Sequence, residues 1–121
     1  MWKGRNTILQ SIQAFIITLT LTAFSFASGV IISEYIEGSS YNKAVEIYNP
    51  SGSTVNLIGY KLRRATNGAN WTSSLDLESY SISSGDVLVI CHTSIDDEYS
   101  VLCDIMNSIT NFNGDDAVGL F

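Results

Sequence analysis

The sequence is short of proline, histidine, cysteine and positive charge, and each shortage excludes something. One proline and nine glycines in 121 residues exclude collagen-like and proline-rich low-complexity chains. Six basic residues against twelve acidic ones leave a net charge of −6, which argues against a general nucleic-acid-binding surface. There is one histidine, His92, so any imidazole chemistry falls on that residue. No Gly-x-Ser-x-Gly turn marks a hydrolase nucleophile. The length is too small for a two-lobed enzyme or an α/β barrel, and no internal repeat or biased linker separates a second domain. What is present is apolar: 45% hydrophobic and 11% aromatic residues argue against disorder.

The first charges after Lys3 and Arg5 come only at Glu34, so residues 6–33 form an uncharged run of 28. A basic start, an apolar middle and small residues at Ser25 and Ala27 read as a secretory signal peptide, residues 1–27, cleaved near Ala27. The run is also long enough to span a bilayer, so an uncleaved anchor is the alternative. Gln10, Ser11 and Gln13 make its first third polar, which favours the cleaved leader. The expected location is therefore secreted or cell-surface, or periplasmic, with no stable membrane span after cleavage. Residues 28–121 then carry four bases and twelve acids, a net charge of −8. A domain of that size holds one small core, and export gives it access to a disulfide.

Beyond the leader, short β-branched and aromatic runs alternate with turn residues. They fall at residues 30–35, 44–48, 54–57, 60–64, 87–90 and 117–121. Within 44–48, Val45 and Ile47 are expected to face a core, with Glu46 and Tyr48 outside. The run at 87–90 is apolar throughout, as in a strand covered on both faces. No window of 11 or more residues holds a helical apolar period. Residues 96–106, with Tyr99, Leu102 and Met106, come nearest and read as an irregular excursion. Short strands joined by turns predict an all-β antiparallel sandwich or barrel.

Three sets of residues carry a family resemblance. They are ISEYIEG at 32–38 with NKAVEIYNP at 42–50, VNLIGYKL at 55–62, and GDVLVI at 85–90 with FNGDDAVGL at 112–120. In this order and spacing the chain resembles the lamin tail domain in its bacterial secreted branch, over about residues 30–121. The resemblance implies an immunoglobulin-like β-sandwich appended, without catalysis of its own, to exported multidomain proteins such as extracellular nucleases. It also implies one or two strands beyond residue 121. The domain of residues 28–121 is thus expected to be truncated at its C-terminal end, leaving Val118 and Leu120 with few neighbours.

Candidate chemistry is sparse. Cys91 and Cys103 are an even pair in a chain read as exported, which points to a disulfide; two separate buried thiols are the alternative. His92 follows Cys91 directly, so in an extended chain the two point to opposite faces and form no dyad. A lone loop histidine is expected at the surface. Asp115 and Asp116, after Asn113–Gly114, are candidate oxygen ligands for calcium, against the simpler reading of a turn. The acidic cluster Asp96, Asp97 and Glu98 reads as a solvated loop. Glu34 and Glu46 could form an acid–base pair if held across a cleft. No cleft is legible, and pairing with Lys43, Arg63 or backbone amides is expected instead. Lys61, Arg63 and Arg64 form the one basic patch. Trp71, Tyr80 and Tyr99 could stack on sugars or bases but are expected in the core. Residues 70–72 form an N-x-T pattern. The expectation is a non-catalytic exported interaction or structural module without a cofactor, at the front of a larger protein. Its partner is expected to be a protein or cell surface rather than nucleic acid. The rivals are a fragment of an extracellular nuclease or hydrolase, and a calcium-dependent surface-binding domain.

Overall fold

The structure, a computed structural model, describes residues 29–121. The expected leader lies outside the described residues. Nine strands follow in order: β1 (Ile31–Glu37), β2 (Lys43–Tyr48), β3 (Val55–Asn56), β4 (Lys61–Ala65), β5 (Trp71–Asp76), β6 (Ser81–Ile82), β7 (Val87–Cys91), β8 (Ile105–Met106) and β9 (Ala117–Leu120). A single turn of helix, α1 (Asp97–Ser100), lies between β7 and β8. The strands form a four-stranded sheet, β1-β2-β7-β8, a three-stranded sheet, β5-β4-β9, and a small β3-β6 pair. The expected β-sandwich is therefore present. Five of the six ladders are antiparallel; β7 and β8 pair in parallel, Ile90 against Ile105.

Alternation decides which side chains meet in the middle. Val45 and Ile47 are fully buried, while Glu46 and Tyr48 between and beside them are only half-buried. Leu62 from β4 and Leu88 and Ile90 from β7 join Leu57, Leu77, Ile82, Ile109 and Phe112 in one cluster. This one cluster is the core between the two sheets, as suits a domain of this size. Val118 and Leu120 were expected to stand exposed. They are half-buried against the core, because β9 pairs with β4 from Ala117↔Ala65 to Leu120↔Leu62.

Asn49 holds the turn that follows β2. It is fully buried, and its amide nitrogen donates to the carbonyls of Ser53 (2.8 Å), Ile82 (2.8 Å) and Ser83 (3.1 Å). Its amide oxygen accepts from the backbone N–H of Ser51 (2.9 Å) and from the Ser51 hydroxyl (2.6 Å). One side chain thus ties the β2 turn to the end of β6 and the β6–β7 turn, and it supplies donors to carbonyls at and beyond the edge of the short β3–β6 ladder.

Gly38 closes the β1–β2 hairpin. Its N–H donates to the Asn42 carbonyl at 2.8 Å. A Cβ at this position would come within 2.6 Å of that same backbone oxygen, so no side chain fits without moving the hairpin.

Candidate functional site

Among the described residues, the outer face of the four-stranded sheet carries a feature that resembles a site. Register puts Ile36, Ala44 and Cys91 side by side across β1, β2 and β7, on the face away from the core. The next outward row, two residues along, is Glu34, Glu46 and Val89. Residues 95–103 fold back over the first row, and together they enclose an apolar cleft of about 390 Å³. Its lining includes Ile36, Ala44, Val89, Ile95, Tyr99 and Leu102. This explains why the run at 87–90 is apolar throughout. Leu88 and Ile90 face the core, and Val89 faces the cleft; only Val87 is left exposed.

The cleft wall is held at both ends. The Cys91–Cys103 disulfide, expected from the sequence, joins it to β7 across a Cα separation of 5.8 Å. Asp104 then donates its N–H to the Val89 carbonyl (2.9 Å), and its carboxylate accepts from the Val89 N–H (2.8 Å). At the other end Asn42 and Asp96 exchange two bonds: Nδ2 donates to the Asp96 carboxylate (2.8 Å), and the Asp96 N–H donates to Oδ1 (3.0 Å). The acidic cluster is therefore not simply a solvated loop, because Asp96 is a tether to the hairpin. Tyr99, expected in the core, is instead exposed at the cleft mouth beside Val101 and Leu102.

His92 corrects another expectation. It is only 5% exposed. Tyr41 from the hairpin stacks on its ring at a centroid distance of 4.6 Å, and Nδ1 accepts the Ser94 N–H at 3.0 Å. Burial, with help from Lys43 and Arg64, holds its pKa below the usual histidine value. A neutral ring whose Nδ1 is already engaged and whose face is covered acts as packing.

The two glutamates stand together but not as foreseen. Glu34 and Glu46 are direct cross-strand neighbours on the outer face. Glu46 accepts from the Ser33 hydroxyl at 2.7 Å, where a bulge interrupts β1. Lys43 does not pair with either; it lies 3.8 Å from Glu37 and donates to the Phe112 carbonyl. Arg63 likewise turns elsewhere, to the Trp71 carbonyl at 3.0 Å and over the Phe121 ring.

The basic patch dissolves for the same reason of alternation. Lys61 pairs with Asp76 at 3.2 Å. Arg64 points to the opposite side of β4 from Lys61 and Arg63, and its guanidinium donates to the carbonyls of Ser108, Ile109 and Asn111. Trp71 packs edge-on against Phe121 at 5.0 Å, and Tyr80 packs against the core. The N-x-T pattern lies where β5 begins.

Asp116 caps its own loop. Its carboxylate accepts the N–H groups of Asn67 (2.9 Å) and Asn113 (3.1 Å), and Asp115 lies beside the Asn67 amide. Among the described residues no cluster of three or more His, Cys, Asp or Glu side chains is placed to hold a metal. Tyr35, on the inner side of β1, stacks on Phe112 at 4.2 Å. Burial first, then Glu37 and Asp116, push its hydroxyl up to about 12. Among the described residues no helix is long and apolar enough to cross a membrane.

A two-layer β-sandwich whose described polar groups serve structure, with an apolar cleft on an outer face, has the build of a binding or structural domain. Residues 25–121 match the family described as Lamin Tail Domain, and the chain belongs to that family. The family is one of immunoglobulin-like, non-enzymatic domains. Neither curated proteins nor solved structures gave a significant match.

Proposed function

We propose that this chain is a non-catalytic interaction module of an exported or cell-surface protein, and that it works by holding a partner protein. The apolar cleft on the outer sheet face supports this reading best. It is walled by a loop tethered through a disulfide and the Asn42–Asp96 pair, and it opens onto exposed Ile36, Tyr99 and Leu102. Small soluble domains seldom leave such residues grouped in the open unless something covers them. The disulfide supports an oxidising compartment, and the N-terminal pattern of basic start, apolar middle and small residues supports export.

The test is an activity screen on the purified full chain: DNA, RNA, phosphodiester, ester and glycoside substrates, with and without millimolar calcium. The expected result is no turnover above a buffer blank. Turnover that is lost in Glu34→Gln, Glu46→Gln or His92→Gln would overturn the module reading.

A further inference from the structure

β1 is a seven-residue strand that pairs with β2 on one side and with no strand on the other among the described residues. β9 of the opposite sheet lies near it but forms no ladder with it. The β1 edge is only partly blunted: a bulge lies between Ile32 and Glu34, but the strand beyond it, from Glu34 to Glu37, keeps its ladder register with β2 and faces the open edge. It carries exposed Ile31, Tyr35 and Ile36, no proline and no lysine, whereas edge strands commonly use such residues to prevent pairing. Ile36, 45% exposed, also forms the near wall of the cleft. A strand added to β1 would therefore set every second side chain against the outer face, beside that cleft.

Charge selects among occupants. Glu34 and Glu46 lie directly opposite each other, an arrangement that costs stability when like charges have no counterion. Asp97 and Glu98 stand on the wall across the cleft. Lys43, the basic residue of this sheet, is turned toward Phe112 on the inner side. A second copy paired through β1 would bring its own Glu34 against these outer-face carboxylates, so self-pairing is opposed by repulsion.

Resting on the reading of the chain as a binding module, we propose that the β1 edge takes one extended segment of a partner protein as an added strand. The segment carries Lys or Arg over the Glu34–Glu46 pair and, two residues away, an aliphatic side chain over Ile36 at the cleft mouth. Main-chain ladder bonds to β1 supply affinity, and the two outer-face positions supply selectivity.

The probe is an acetylated, amidated nonapeptide on a threonine background whose even positions alternate Lys and Val. It is titrated into the full chain by fluorescence anisotropy and mapped by amide chemical shifts. Binding is expected with shifts centred on β1, Ala44 and residues 95–102. Three changes should each weaken it at least tenfold: Glu for Lys in the peptide, N-methylation of alternate peptide amides, and Ile36→Lys in the protein. Glu34→Lys with Glu46→Lys should invert the preference and favour the Glu-Val peptide. Leu102→Ser, at a site 67% exposed, weakens binding without a folding penalty and guards against an unfolded Ile36→Lys. Several results would overturn the proposal: no binding at millimolar peptide, equal binding of the N-methylated peptide, or shifts centred on β4–β5. A chain that sediments as a dimer broken by Ile36→Lys would assign the edge to a second copy and overturn it too, as would contacts from residues 1–28 along β1. Any of these leaves the activity screen blank and the module reading standing; turnover in that screen fails the module reading itself.

Discussion

Replacing Asn49 by aspartate changes one nitrogen for one oxygen, and the fold should respond strongly. The amide nitrogen at this position donates to three carbonyls, of which the bond to Ile82 is wholly buried and those to Ser53 and Ser83 are partly so. A carboxylate there has no hydrogen to give and faces three acceptors at about the same distances. The Ile82 carbonyl keeps its ladder bond from Val55, so the change removes three hydrogen bonds, each contributing about 0.5–1.5 kcal/mol net. The bonds accepted from Ser51 survive the change. Asn49→Asp should therefore lose about 3 kcal/mol at pH 7. For a domain of this size that is a fall in Tm of roughly 12–24 °C. The sign with pH is also fixed. The new carboxyl is held protonated in the fold, because only then can it donate, so its folded pKa lies above the unfolded value. The proton-bound form stabilises the fold below about pH 4, and that contribution is lost as pH rises. Thermal melts of the two proteins from pH 4 to pH 7.5 should diverge as pH rises. A Tm difference under about 4 °C at pH 7, or a gap that narrows toward neutral pH, would refute this account of Asn49.

Two further predictions concern the cleft wall and the ring behind it. The Cys91–Cys103 disulfide closes a 13-residue loop, so Cys91→Ala with Cys103→Ala should lower unfolding free energy by about 3 kcal/mol in urea titrations. A loss near zero would mean that the Asn42–Asp96 and Asp104–Val89 bonds already fix the loop in the reduced chain. His92 has a folded pKa below its unfolded value, so its stabilising contribution is complete above about pH 6.5 and falls as pH drops through that value toward the lower folded pKa. The Tm of the native protein should fall from pH 7.5 to pH 5.5 by more than that of His92→Phe; an equal fall in both would place the titration elsewhere.

Much of the architecture is legible wherever a strand is long and faces one core. Alternation at Val45, Glu46 and Ile47 gives both the element and its orientation, and the run at 87–90 identifies the strand covered on two sides. The strands that escape are those where tertiary pairing overrides local preference. β5 reads WTSSLD, and Ser73 and Ser74 carry no strand signal; they are held by pairing with Arg64 and Arg63 of β4. β6 and β8 have two residues each, too few for any period to register. Asn49 reads as the opening of a turn, which it is. Its second job, satisfying carbonyls before β7, depends on a segment more than thirty positions away. His92 is misplaced at the surface for a similar reason: the covering ring, Tyr41, belongs to a different hairpin.

The site is less legible than the fold because every part of it is a juxtaposition. Ile36, Ala44 and Val89 are ordinary strand residues until register puts them under residues 95–103, and register is not visible in three separate runs. What the structure does show is a local inconsistency along one strand edge. Within the four residues 33–36, β1 bulges at Ser33, sets Glu34 opposite another glutamate and leaves Ile36 open at an edge. Each of these costs a free-standing sandwich something. The β5 edge, by contrast, exposes Thr72, Ser74 and Asp76, which suit water. A chain selected only for stability would have no reason to treat these two edges so differently. Departures from local consistency cluster where a protein meets something else. By that argument β1, rather than the acidic turn at Asp115–Asp116 or the dispersed bases of β4, is the surface on which the proposed partner strand is to be sought.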